Sequence, residues 1–266
     1  MDIGIIIGLI IGFVGVLTGY ILDEGVISKL FQPAAFAIVY GGSIGATIIT
    51  FPISELSKIP TALKIAFTNK KHDDVETINQ ILGLAEKARR DGLLSLEQDT
   101  QNVENAVIRK GLELVVDGIE AETIKDILIR DNQLHENIYE TSAKIFEQIG
   151  GYSPTMGVLG TVMGMISILG SMEENPGGLG GKIATAFIAT MYGVGTANLV
   201  WLPIAGRIKA KAERERMLND IIIEGILSLQ AGENPRIIKE KLNLSFLEKV
   251  NKKANVDENM SEEAEG

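Results

Sequence analysis

The chain has 266 residues, 45% of them hydrophobic, with 35 acidic and 25 basic side chains and a formal net charge of −10. That acidic balance argues against nucleic-acid binding, which needs a basic surface to neutralise phosphates. The absence of cysteine excludes disulfides, thiolate zinc sites and iron–sulfur clusters.

Charge is strongly segregated. Ile3–Leu22, Leu30–Ser54, Gln148–Met172 and Ile183–Gly206 contain no Asp, Glu, Lys, Arg or His. Each reaches the roughly 20 residues that cross about 30 Å of hydrocarbon. The predicted fold class is therefore all-α: a polytopic membrane protein with four transmembrane helices and a cytoplasmic helical domain. Ile3–Leu22 follows Asp2 rather than a basic segment and lacks an A-x-A-like cleavage site, so it reads as a retained span and not a signal peptide. Apart from Lys29 and Lys182, the basic residues lie between spans two and three or after span four, with Arg207, Lys209, Lys211, Arg214 and Arg216 beside a span end. The positive-inside rule places the N-terminus, large loop and C-terminal tail in the cytoplasm. The short connections 23–29 and 173–182, each with an acidic pair, then face outward.

The first domain is a transmembrane hairpin, 1–54. In span one, Gly4, Gly8 and Gly12 form two overlapping G-x-x-x-G steps, a helix-packing face. Span two enters through Gln32-Pro33 and stops at Pro52. A cytoplasmic region, 55–147, follows. Leu56, Ile59, Leu63 and Phe67 recur at helical spacing, as for a helix along or just under the membrane surface. Val75, Ile78, Ile81, Leu82 and Ala85 form the stripe of a helix that ends at Asp91-Gly92. Ser95 with Gln98 has capping-box spacing and predicts a helix restart. Val103–Val116 reads as another helix, and Ala121–Gln148 as a long one running into span three. The region 148–206 is a pair of channel-lining spans. In 207–253, Arg207–Gln230 continues span four, Ala231–Pro235 breaks it, and a short helix follows. Residues 254–266 form an acidic tail predicted to be disordered.

The spans offer no ionisable side chain, although a chain that moves ions alone normally shows an intramembrane acid, base or ordered carbonyl site. Either no ion passes, or a partner brings the carboxylate. Pro154 and Pro203 each remove a backbone donor near the cytoplasmic end of adjacent spans. Thr161 and Thr190 supply hydroxyls. Gly160 and Gly164 give span three a small-residue face, and Ala189, Gly193 and Ala197 give one to span four. The plain reading of all of these is helix packing, with threonine bonding its own helix carbonyls. The run Asn175–Lys182 fails as a phosphate loop, because Pro176 replaces the first glycine and Ile183 the Ser/Thr. His72 and His135 lack metal-ligand spacing. No metal, cofactor or enzymatic activity is expected.

The stretch GGYSPTMGVLGTVMGMISILGSM with ATAFIATMYGVGTANLVWLPIAGRI resembles the channel helices of the MotA/PomA flagellar stator family. EKARRDGLLSLE, Glu86 to Glu97, resembles its rotor-facing segment. The resemblance implies a homopentamer around two copies of a MotB-like, peptidoglycan-anchored, single-span partner, whose aspartate binds the ion. It implies a bacterial cytoplasmic (inner) membrane location in contact with lipid, coupling of protonation to movement at Pro154 and Pro203, and contact with the rotor switch protein FliG through Arg89, Arg90 and Glu97. Thr161 and Thr190 stand where sodium-type members pair hydroxyls, yet protons are the favoured coupling ion. An ExbB/TolQ-like energiser is the nearest alternative, but those proteins have three spans; a non-conducting membrane scaffold is another.

Overall fold

The computed structural model describes residues 3–68, 74–170 and 179–244, and among them every regular element is helical. His72, the acidic pair Glu173 and Glu174, the end of the last predicted helix and the tail 254–266 lie outside the described residues. Four helices are long and apolar enough to cross a membrane: α1 (Ile3–Leu22), α2 (Pro33–Thr50), α6 (Ala121–Gly170) and α7 (Leu179–Gln230). Between them come α3 (Ile59–Phe67), α4 (Asp74–Asp91) and α5 (Ala106–Val116). A last helix, α8, covers 235–244.

The second charge-free stretch is longer than its helix. Leu30 closes a 3-10 turn, Ile27–Leu30, and α2 begins at Pro33, whose fixed φ suits the first helical position. The helix stops at Thr50 because Pro52 disfavours the α conformation in the residue before it, and Phe51 is extended (φ −116°, ψ 141°). At about 1.5 Å per residue, these 18 residues span roughly 27 Å, close to the hydrocarbon thickness. Residues 53–56 make a separate helical turn. At the fourth stretch the difference runs the other way: α7 starts at Leu179, so Lys182 sits in its first turn.

The chain divides into two compact units. The first comprises described residues 3–68, 138–170 and 179–211. One core cluster joins Ala62 and Ala66 of α3 to Ala143 and Phe146 of α6 and Ile204, Ala205 and Ile208 of α7. The apolar stripe of α3 thus packs on protein, with alanines allowing the close approach. The Lys211 ammonium fixes the end of α3 by donating to the carbonyls of Ile65 (3.0 Å), Ala66 (2.7 Å) and Thr68 (2.7 Å). Those carbonyls lie in the last turn, where a helix lacks internal donors and favours a cation. A second cluster joins Ala35 and Val39 of α2 to Ile188 and Ala189 of α7. No residue of α1 is buried.

The second unit comprises 74–137 and 212–244. Its core is aliphatic: Ile81 and Ala85 of α4, Ile108 and Leu112 of α5, Ile124 and Leu128 of α6, Ile222 and Ile226 of α7 and Leu242 of α8. The stripe of α4 is completed by Leu84 and Ala88, whereas Val75, expected in it, is exposed. Left-handed glycines close two turns, Gly92 (φ 86°) after α4 and Gly118 (φ 72°) after α5. The predicted capping box does not form. Ser95 lies inside a 3-10 turn, Leu93–Leu96, and its hydroxyl donates to the Gly92 carbonyl at 2.7 Å. Helix α5 starts three residues later than Val103, because Asn105 caps it: its Oδ1 accepts from the amides of Val107 (2.9 Å) and Ile108 (3.2 Å). One polar pair sits in this core, with Asn219 donating to Asn132 at 2.8 Å.

Candidate functional site

Helices α6 and α7 meet through residues without bulk. A Cβ on Gly157 would lie 2.8 Å from the Ala189 carbonyl oxygen, and one on Gly164 would lie 2.6 Å from the Ala186 Cβ. A Cβ on Gly160 would meet the Ala189 Cβ at 2.7 Å, and one on Gly193 would run into the Ser153 carbonyl. These approaches explain why Gly160, Gly164, Ala189 and Gly193 belong to one seam. Ala197 is buried in α7 just beyond it. In α1 the packing face is uneven: Gly12 lies against Leu199, Gly8 has nothing within 4 Å, and Gly4 is exposed.

The close seam lets two hydroxyls meet. Thr161 Oγ1 and Thr190 Oγ1 are 2.5 Å apart. Thr161 Oγ1 is also 2.9 Å from the Ala186 carbonyl and 3.2 Å from the Gly157 carbonyl, and Thr190 Oγ1 is 3.4 Å from the same Gly157 oxygen. Two hydroxyl protons serve these four contacts, so not all can be made at once. The cluster gathers four neutral oxygens, hard ligands able to replace part of a cation's water. It holds no carboxylate, so it neither binds a proton at neutral pH nor balances a cation's charge.

Pro154 lies inside α6, half-buried, and leaves the Gly150 carbonyl without its helical donor. Pro203 is exposed and follows a π turn, Ala197–Trp201. In that turn the Leu202 amide donates to Ala197, five residues back. The next amide would have served Asn198, but residue 203 is proline, so that carbonyl has no i+4 or i+5 donor. Each proline thus creates an unpaired carbonyl, one on each helix. A second π turn, Ala37–Gly41, interrupts α2. Neither π turn was predicted, and such bulges often mark functional places in a helix.

A tyrosine that sequence reasoning passed over ties the pair to the hairpin. The Tyr192 hydroxyl donates to the Leu30 carbonyl and accepts from the Gln32 amide at 3.3 Å. Its ring stands 6.4 Å from that of Tyr40. A lone tyrosine in mid-span was the only available signal. The outer faces of both helices stay apolar and uncovered, as at Val158, Ile166, Phe187 and Val194.

The charges Arg89, Arg90 and Glu97 sit in the other unit. Arg89 and Arg90 end α4, and Glu97 opens the helical turn after Gly92. Arg89 and Glu97 are exposed and make no ion pair among the described residues. Arg90 is held sideways by Asp91, through Nε to Oδ1 at 3.0 Å and Nη2 to Oδ2 at 2.8 Å. That bond raises the Arg90 pKa and holds the Asp91 carboxyl below its usual range. The turn itself is clipped by Lys87 to Asp99 at 2.7 Å, a contact not foreseen from spacing.

Residues 6–92 match the motility protein A N-terminal family and residues 99–221 the MotA/TolQ/ExbB proton channel family. Motility protein A of Bacillus subtilis is 39% identical over 243 residues, covering 91% of this chain and 90% of that protein. The flagellar MotAB stator complex from Bacillus subtilis superposes with a TM-score of 0.84 at 38% identity, over 90% of this chain and 94% of that one. The C. jejuni MotAB structure gives 0.87 at 28% identity, over 92% and 96%. The chain therefore belongs to the motility protein A family and is a flagellar stator subunit, a multi-pass membrane component of the motor.

Proposed function

We propose that α6 and α7 form one wall of an ion path whose charged ligand is an aspartate of a MotB-like single-span partner. Five copies of this chain surround two of that partner, with both termini and the second unit in the cytoplasm of a bacterium's inner membrane. The observation carrying this reading is the Thr161–Thr190 cluster: oxygen-lined and free of charge, with the two proline-freed carbonyls two to three turns away along the same helices. It can solvate a passing ion but cannot hold one by itself.

When the partner's carboxylate gains or loses a proton, the charge facing this wall changes by one unit. Pro154 and Pro203 are where the wall can yield, because the backbone there lacks two of its ladder bonds. An elementary charge falling through 100 mV releases about 2.3 kcal/mol, enough to bias a small two-state step and no more. The step is transmitted to FliG through Arg89 and Glu97, whose exposed charges orient the contact, with Arg90 beside them. Protons are the coupling ion.

Co-expression with the partner tests the reading. Ion flux and swimming should both require the partner's aspartate, and both should fall when Pro154→Ala is combined with Pro203→Ala. Normal motility in that double variant sinks the mechanism. The ExbB/TolQ alternative is disfavoured by the α1–α2 hairpin, which the N-terminal family match includes.

A further inference from the structure

Trp201 has an indole nitrogen, Nε1, that is buried without a hydrogen-bond partner among the described residues. Buried indole N–H groups ordinarily find an acceptor, and an orphan of this kind calls for a reason. An orphan acceptor lies on the facing turn. Gly150 is buried, and its carbonyl has lost its helical donor to Pro154. The two residues touch: a Cβ on Gly150 would lie 3.4 Å from the Trp201 Cβ and 2.8 Å from the Leu202 Cδ2. The Trp201 ring is also stacked on Phe146, one turn before Gly150, with centroids 6.3 Å apart and planes at 25°.

Trp201 is moreover the last residue of the π turn. In that turn the Leu202 amide donates to Ala197, so α7 carries one residue in excess of the α register there. The ring that now lies along Phe146 is therefore mounted on the bulged turn of α7.

We infer that Trp201 is a positioning residue for the Pro154 hinge: its indole N–H takes the Gly150 carbonyl in the second state of the helix pair and leaves it in the state described here. The inference rests on the reading of Pro154 as the moving element. Satisfying one buried donor and one buried acceptor together makes the second state a discrete alternative, and not a continuous deformation.

Trp201 is the chain's single tryptophan, which makes the test spectroscopic. Ultraviolet resonance Raman spectra of the assembled stator complex are recorded with and without Trp201→Phe, so that the partner's tryptophans cancel in the difference. The indole N–H mode should report a free group when the partner's ion-binding aspartate is ionised and a hydrogen-bonded one when it is replaced by asparagine. Pro154→Ala, which restores an amide donor for Gly150, should abolish the shift. Should Trp201→Phe fail to assemble, the difference between wild type and Pro154→Ala carries the same signal. Swimming speed in Trp201→Phe should drop at least threefold at unchanged membrane level. An indole signature identical in both charge states overturns the inference, as does a shift that survives Pro154→Ala or a Trp201→Phe strain that swims normally. Unchanged swimming in Pro154→Ala with Pro203→Ala would instead remove the hinge itself, a separate result.

Discussion

Thr161 and Thr190 place their hydroxyl oxygens 2.5 Å apart across α6 and α7, with the Gly157 carbonyl accepting from either side. Replacing Thr161 by valine removes the α6 hydroxyl that reaches the Ala186 carbonyl, while Thr190 keeps Gly157. The expected cost is about 0.6 kcal/mol, at most about 1.7, as for interhelical hydrogen bonds in membranes. Transport should suffer more than stability, since the path loses an oxygen. Swimming of the wild type should be unchanged as sodium is withdrawn at fixed pH; arrest would show that the cluster selects sodium instead.

The glycines of α7 separate packing from composition. Gly193→Ala would drive a methyl group into the Ser153 carbonyl, with Pro154 Cα only 3.1 Å away, and backbone on both sides leaves nothing to rotate aside. Overpacking of this kind costs about 1–3 kcal/mol. Gly195→Ala, two residues on, meets nothing within 4 Å. Assembly yield in membranes should fall for the first and hold for the second; equal behaviour would dissolve the seam as described.

Much of this was legible in sequence, because a membrane imposes few options. The charge-free runs located the spans, Pro33 marked where α2 starts, and Gly92 and Gly118 marked where α4 and α5 stop. Lateral contacts were not legible. Tyr192 gives no hint that it reaches Leu30, and Lys87 gives none that it reaches Asp99 across a turn. The π turns escaped because one extra residue changes no local composition. In α3 the large apolar residues drew attention, whereas the alanines between them, Ala62 and Ala66, are the fully buried ones.

Lys211 offers a test of how α3 is held. Its ammonium serves three carbonyls at the end of that helix, a charge-assisted set worth about 1.5–3 kcal/mol. Lys211→Met keeps the aliphatic stem and removes the donors. Amide exchange in the last turn of α3 should accelerate roughly tenfold or more, while exchange around Gly157 stays as it was.

The Arg90–Asp91 bond has a pH signature whose sign is fixed. The Asp91 carboxyl titrates below its ordinary value of 3.8, chiefly because Arg90 hydrogen-bonds its ionised form. Its contribution is therefore complete above about pH 4 and is lost as pH falls through the lower folded value. Asp91→Asn should lower the complex's thermal stability slightly across the neutral range and flatten its acid limb, so that variant and wild type converge at low pH. A deficit that persists undiminished at low pH would contradict the assignment.

Arg89 and Glu97 differ from their neighbours in what they leave unpaired. Lys87 is spent on Asp99 and Arg90 on Asp91, so those charges shape the Gly92 turn. Both pairs are partly or fully exposed, and breaking Lys87–Asp99 with Asp99→Asn should cost about 0.2–1 kcal/mol, less at high salt. Arg89→Glu and Glu97→Lys break no ion pair and should change stability by about 0.5 kcal/mol or less. If these two charges meet the rotor, each reversal should still slow swimming severalfold at normal membrane level, and opposite reversals on the rotor protein should restore it. Asp99→Asn should show the converse, with a looser turn and no rescue from any rotor charge. Rescue of Asp99→Asn, or full speed in the Arg89→Glu with Glu97→Lys double variant, would move the contact elsewhere on the second unit.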